Sequence, residues 1–175
     1  MLMLASCGGS TPSSSIVDIG KLDDYFTVVS YKLETDAKEK GIEHLDDVHG
    51  TLVLVIQRNK QEMKFKPSNI EDASITGSTP GTSYYVFRGD ATATAKSLLK
   101  MAPGKKETVS FVIKGIDPYN KYNSEEENTS NRKQHYEALT KKGLLDKIEL
   151  DISWDEDVEN AIEALKALKG MIDDD

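Results

Sequence analysis

The chain has 175 residues, 38% of them hydrophobic and 30% charged, and its 22 Lys and Arg against 30 Asp and Glu leave a net charge of −8. That length suffices for one domain with its own core, the acidity argues against nucleic acid and against adhesion of the polypeptide to anionic lipid, and no apolar run approaches the roughly 20 residues that span a bilayer. The single cysteine, Cys7, excludes an intrachain disulfide.

The first signal in chain order is an address. Leu4-Ala5-Ser6-Cys7 sets an aliphatic residue and two small residues before the cysteine, and Gly8 to Ser15 is Gly/Ser-rich. Leu4 to Cys7 resembles the lipobox of bacterial lipoproteins. The resemblance implies that the Cys7 thiol carries diacylglycerol, that the signal is cut before it, and that the new amino terminus is acylated, as with palmitate. Small residues suit a protease that must approach the backbone closely. Several acyl chains, at about 0.8 kcal/mol per buried CH₂, anchor far more firmly than one. The charged n-region is missing and the apolar stretch is shorter than the usual run of about 7–15 residues, so residues 1–7 read as a truncated signal. Residues 8–22 read as a flexible tether. The expected location is the bacterial cell envelope, at the outer membrane, facing either the periplasm or the outside.

From Tyr25 the pattern has period two. It predicts a strand with Tyr25, Thr27, Val29, Tyr31 and Leu33 on one face and Ser30, Lys32 and Glu34 on the other. After a polar loop from Thr35 to Gly50, Leu52 to Ile56 is continuously apolar, which predicts a strand covered on both faces. Met63 to Phe65 reads as a short return strand stopped by Pro67. Ile70 to Ile75 and Tyr84 to Phe87 are strand candidates, Ala91 to Leu99 alternates weakly, and Pro103-Gly104 is a turn before the strand marked by Val109, Phe111 and Ile113. Ile148, Leu150, Ile152 and Trp154 alternate with polar residues and form the clearest strand.

Two segments read as helices. Thr129 to Lys142 carries Tyr136 and Leu139 inward and is closed by Gly143. The second starts at Asp155 as N-cap, with Val158, Ala161, Ile162, Leu165, Leu168 and Ile172 in a stripe. That stripe predicts packing on the outer face of Leu52 to Ile56. About seven short strands with turn signals between them predict a mainly β fold, a β-sandwich over residues 23–154 with a helical insert at about 117–143, followed by a C-terminal helix and acidic tail over 155–175. The alternative is α+β, one antiparallel sheet with helices on one face.

Phe26 to Tyr31, Gly50 to Gln57, the hairpin Leu99 to Ile113 and the strand Lys147 to Trp154 together resemble the immunoglobulin-like domains of bacterial lipoproteins. The resemblance implies a binding or spacer role rather than catalysis. The helical insert and terminal helix depart from that pattern, and the missing cysteine pair separates it from the antibody type.

Among candidate sites, Tyr84, Tyr85, Tyr119 and Tyr122 fall in or beside loops, where exposed aromatics could stack on a sugar or anchor a protein partner. His44, Asp46, Asp47 and His49 form the densest set of metal-ligand types, but their spacing matches no zinc motif. Asp117 to Glu127 offers oxygens of the kind calcium accepts, without the glycine and acidic spacing of an EF-hand loop. No G-x-S-x-G elbow, H-E-x-x-H or P-loop occurs, and His44, His49 and His135 have no nucleophile beside them. The expectation is a lipid-anchored, non-catalytic module with no cofactor, presenting loops to a protein or glycan partner. The rivals are a small-ligand carrier or inhibitor on an α+β scaffold, and a metal-dependent envelope enzyme using His44 and His49.

Overall fold

The computed structural model describes residues 16–80, 85–141 and 144–173. Cys7, the Gly8 to Ser15 tether, Tyr84, the helix-end signals Lys142 and Gly143, and the last two aspartates lie outside the described residues. Seven strands, β1 (Val17–Asp18), β2 (Phe26–Thr35), β3 (His49–Arg58), β4 (Ile70–Ser78), β5 (Tyr85–Asp90), β6 (Lys106–Gly115) and β7 (Lys147–Trp154), join in the order β1-β7-β4-β5-β6-β3-β2. β1 pairs with β7 in parallel and the other neighbours pair antiparallel. The helices are α1 (Ala37–Lys40), α2 (Thr92–Leu98), α3 (Glu125–Thr140) and α4 (Glu156–Asp173), with 3₁₀ turns at Gly20–Leu22, Ile42–Asp47 and Pro67–Asn69.

The class is therefore mainly β with helices, as expected. The strands are hydrogen-bonded edge to edge in one sheet, as the alternative had it, rather than shared between two facing sheets, because the short β5–β6 ladder at Phe87 and Arg88 joins the two halves. The sheet curls around one core. Leu52, Leu54 and Ile56 on β3 face Phe111, Val109 and Glu107 on β6, and the apolar members of this set are buried. Phe87 from β5 and Ile148 and Leu150 from β7 fill the same interior. At Gly77 an added Cβ would meet the Phe87 ring at 2.3 Å, so the absence of a side chain there lets the ring lie against β4.

Six expectations need correction. The inward face of β2 is Phe26, Val28, Tyr31 and Leu33, not the run with Thr27 and Val29. A β-bulge between Val28 and Ser30 leaves Val29 without a ladder partner and shifts the phase of everything before it. Val17, Ile19 and Leu22 are buried and β1 joins the sheet, so residues 16–22 belong to the domain and not to the tether. Ala91 to Leu98 is not a strand: α2 occupies it and buries Ala95 and Leu98, while Ala91 is buried at the N-cap. Ala91, Ala95 and Leu98 are four and three residues apart, the helical spacing. With Leu99–Lys105 outside any strand, the expected hairpin from Leu99 to Ile113 is absent.

Met63 to Phe65 is also irregular rather than a strand. Its role is to seal the sheet. The Phe65 ring stands edge-on to Tyr25 at 5.7 Å and tilted against Trp154 at 4.8 Å, joining the start of β2 to the end of β7. Finally, α4 does not cover β3. Its N-cap Asp155 accepts from the Val158 amide at 2.9 Å and Glu159 meets Lys21 at 2.9 Å, with Ile162 buried beyond them. Past that turn Leu165 and Leu168 stand exposed, and Val53 and Val55 on the outer face of β3 are half-buried. No helix among the described residues is long and apolar enough to cross a membrane.

Replacing Phe65 with Ala removes the ring between Tyr25 and Trp154. We expect a loss of about 2 kcal/mol by urea unfolding, below the usual core Phe→Ala cost because the ring is only partly buried. The fluorescence of Trp154, the single tryptophan, should shift in the folded state. Unchanged emission and midpoint would contradict a sealing role.

Candidate functional site

Where β6 ends, the chain runs past β5: the Ile116 amide donates to the Val86 carbonyl at 3.0 Å, and the loop 117–124 then leads into α3. This end of the sheet holds Tyr85, which immediately precedes Val86, together with Tyr119 and Tyr122. Gly115 makes the turn-off possible, because a Cβ there would lie 2.4 Å from the Leu45 carbonyl oxygen.

The loop is polar yet pinned along its length. Asp117 accepts from the Tyr119 amide at 3.0 Å and holds Arg132 of α3 through two bonds, Nε to Oδ1 and Nη2 to Oδ2, each 3.0 Å. Such a fork-on-fork pair fixes orientation as well as distance. The Arg132 bonds hold the Asp117 carboxyl below the usual carboxylate range, against the opposing effect of burial. Asn128, buried on α3, closes a reciprocal pair with Asn120: its Oδ1 accepts from the Asn120 amide and its Nδ2 donates to the Asn120 carbonyl, both at 3.0 Å. Asn120 in turn accepts from the Tyr122 amide at 2.9 Å. Ser124 and Glu127 complete a capping box at the start of α3, with the Glu127 amide donating to Ser Oγ at 3.1 Å.

On this frame Tyr119 is 56% exposed and Tyr122 83% exposed. Arg132 lies over the Tyr119 ring at 5.4 Å and Lys121 over the Tyr122 ring at 5.1 Å, so a cation sits against one face of each ring. Tyr85 is exposed on the neighbouring strand. Three of the four tyrosines expected as contacts thus share one end of the sheet, two of them on one loop. Tyr84 lies outside the described residues.

The segment read as a possible calcium loop has other duties: Asp117 is committed to Arg132, and Glu127 to the helix cap. His44, Asp46 and Asp47 lie exposed on the Ile42–Asp47 turn and His49 on β3. Among the described residues, no group of three or more His, Cys, Asp and Glu could hold a metal ion. Asp47 reaches Lys40 at 3.4 Å, and His49 stands directly across from Lys114, whose charge opposes a bound cation. Surface grooves flank Lys133, one bordered by Glu126 and Ser130 and the other by Ile42 and Tyr136. Neither lies between a helix and the inner face of the sheet.

Behind the loop His135 is fully buried. Its Nδ1 lies 3.2 Å from the Ile116 carbonyl, which can only accept, so the proton resides on Nδ1. Its Nε2 is buried with no hydrogen-bond partner among the described residues. Burial pushes the imidazole below its ordinary pKa, with the Ile116 bond and the Asp117 charge pulling the other way. The sequence picked out the tyrosines but not Asn128, Arg132 or the buried His135. Their spacing from Asp117 and Asn120 spans a turn-off, a loop and two helical turns, which no single period covers.

The folded imidazole titrates below the unfolded one. The unfolded chain therefore binds more protons as pH falls beneath about 6.5, and stability drops in that window. The depressed Asp117 carboxyl acts separately, losing its stabilising contribution only as pH falls beneath the usual carboxylate range. We expect the urea midpoint of the wild type to fall between pH 7.5 and about 5, and His135→Asn, which keeps a donor for Ile116, to lack that fall. Equal pH dependence in both proteins would contradict the burial argument.

The chain matches no family model, and it shows no significant similarity to a curated protein or a solved structure.

Proposed function

We propose that the protein is a non-catalytic, lipid-anchored module of the bacterial cell envelope that presents the 117–124 loop to a protein or glycan partner. The observation that carries the binding reading is the pairing of exposed tyrosines with a pinned backbone. Rings held on an ordered loop lose little freedom on contact, so more of their buried area appears as affinity. The anchoring reading rests on the lipobox-like Leu4 to Cys7 and the Gly/Ser-rich stretch behind it.

Placement links the two. The Ile16 carbonyl accepts from the Ile148 amide at the start of β7, and Ser78, beside Lys147, pairs with Tyr85. The chain from Cys7 therefore enters at the sheet end that also carries Tyr85 and the loop. Eight tether residues reach at most about 28 Å when fully extended. A lipid on Cys7 then keeps the tyrosines within tens of ångströms of the membrane surface, so the partner belongs to that layer.

The tests separate the two halves. Wild type should incorporate a palmitate analogue and Cys7→Ala should not; equal labelling, or none in either, removes the anchor. A photo-crosslinking residue at position 122 should give a discrete adduct in intact cells, or the protein should sediment with isolated cell-wall glycan. Either signal should fall about tenfold in Tyr119→Ala, since an exposed aromatic anchor contributes on the order of 1–2 kcal/mol. No adduct and no sedimentation would remove the loop as a contact surface.

A further inference from the structure

A second feature lies on the outer face of the sheet. His49 on β3 is directly opposite Lys114 on β6, and Lys114 is directly opposite Arg88 on β5. Residues in register project to the same face, and all three side chains are exposed. Three nitrogen donors, two of them fixed cations, therefore stand in one row across three adjacent strands. Cations directly opposite one another on a sheet repel, and none of these three forms an ion pair with a carboxylate among the described residues. In a chain of net charge −8, such a row is a local reversal of the prevailing sign.

The row borders a cleft. The β5–β6 ladder stops after Arg88 and Lys114, and beyond it α2 fills the gap, with the Thr94 hydroxyl donating to the Ser110 carbonyl at 3.2 Å. The parting leaves an opening of about 510 Å³ bordered by His49, Arg88, Asp90, Thr94, Ser110 and Lys114. Its one carboxylate, Asp90, accepts from the Thr92 hydroxyl at 2.8 Å and from the Thr92 amide at 3.1 Å, so it is turned to the start of α2. Gly89 lets β5 run close against β6 beside the row, since a Cβ there would collide with the Val112 carbonyl oxygen.

We propose that this row binds the phosphate group of a small anionic ligand. Arg88 offers a planar fork that matches two phosphate oxygens, Lys114 adds a point charge between its neighbours, and the His49 imidazole supplies a third donor. A dianion placed over Lys114 turns the repulsion along the row into attraction to a shared centre. A phosphate ester free in solution and a phospholipid headgroup present the same chemistry.

The test is a titration of the full-length chain with inorganic phosphate and then glycerol phosphate, at ionic strength held constant with NaCl, read by NMR at the Arg88, Gly89 and Lys114 amides. Saturating shifts confined to the cleft are expected in the wild type. Each of R88Q and K114Q should weaken binding about tenfold or more, as expected for loss of a hydrogen bond to a charged group. K100Q/K105Q makes the double variant's charge change at exposed lysines elsewhere and should leave the affinity unaltered. Shifts spread over the whole surface, or persisting in R88Q/K114Q, would overturn the proposal. Vesicles containing phosphatidylglycerol provide the second arm. Sedimentation that is lost in R88Q/K114Q assigns a headgroup, whereas binding of glycerol phosphate alone assigns a soluble ester.

Discussion

The fold depends on closing a seven-stranded sheet that does not complete a hydrogen-bonded barrel. Its margins are β2, and β7 with its two-residue partner β1. Backbone bonds cannot seal that gap, because β1 covers only Ile148 and Glu149 and leaves the rest of β7 beyond it. Side chains do so instead: Phe65 sits between Tyr25 and Trp154, and Leu22, carried on the Gly20–Leu22 turn, is fully buried beneath. Aromatic contacts of this kind add roughly 0.5–1.5 kcal/mol each beyond the area they bury. Their placement at the seam gives them more than local importance, since the core is exposed wherever the seam opens.

The same geometry divides the molecule by chemistry. One end of the sheet receives the N-terminal chain and holds α3 and the tyrosine-bearing loop, each tied to the other by Asp117–Arg132 and Asn120–Asn128. The other end holds the seam, Arg58 and the turn at Pro103-Gly104. Arg58 is buried yet satisfied, its Nη1 donating to the Asn59 and Gln61 carbonyls at 2.6 and 2.8 Å and its guanidinium lying against Tyr25 and Phe26. It holds the chain that leads to Phe65. The outer face between these ends is polar, with β-branched residues and the cationic row, as suits an antiparallel sheet open to solvent on one side.

α4 is the part least integrated with the rest. Val158 and Ile162 fasten its first turns, and past them Leu165 and Leu168 stand uncovered. Its heptad-like spacing reads correctly as helix, and the N-cap at Asp155 is where the sequence places it. Amphipathicity says that a helix has an apolar face; it carries no information on which surface that face meets.

The mainly β class, the strands at Leu52 to Ile56 and Lys147 to Trp154, both longer helices, and Tyr85, Tyr119 and Tyr122 as exposed aromatics in or beside loops are all legible in the sequence. These rest on local period and capping chemistry, which are properties of neighbouring residues. Tertiary pairing was needed to establish that the strands form one sheet, that a bulge at Val29 reverses the face of Phe26 to Val28, that Thr92–Leu98 is a helix wedged where β5 and β6 part, and that residues 16–22 join the core. Each is a choice between arrangements with the same local pattern, settled by which pairing buries the apolar side chains with their backbone partners satisfied. The row of His49, Lys114 and Arg88 is of the same kind: its members are 39 and 26 residues apart in sequence, and only strand register makes them neighbours.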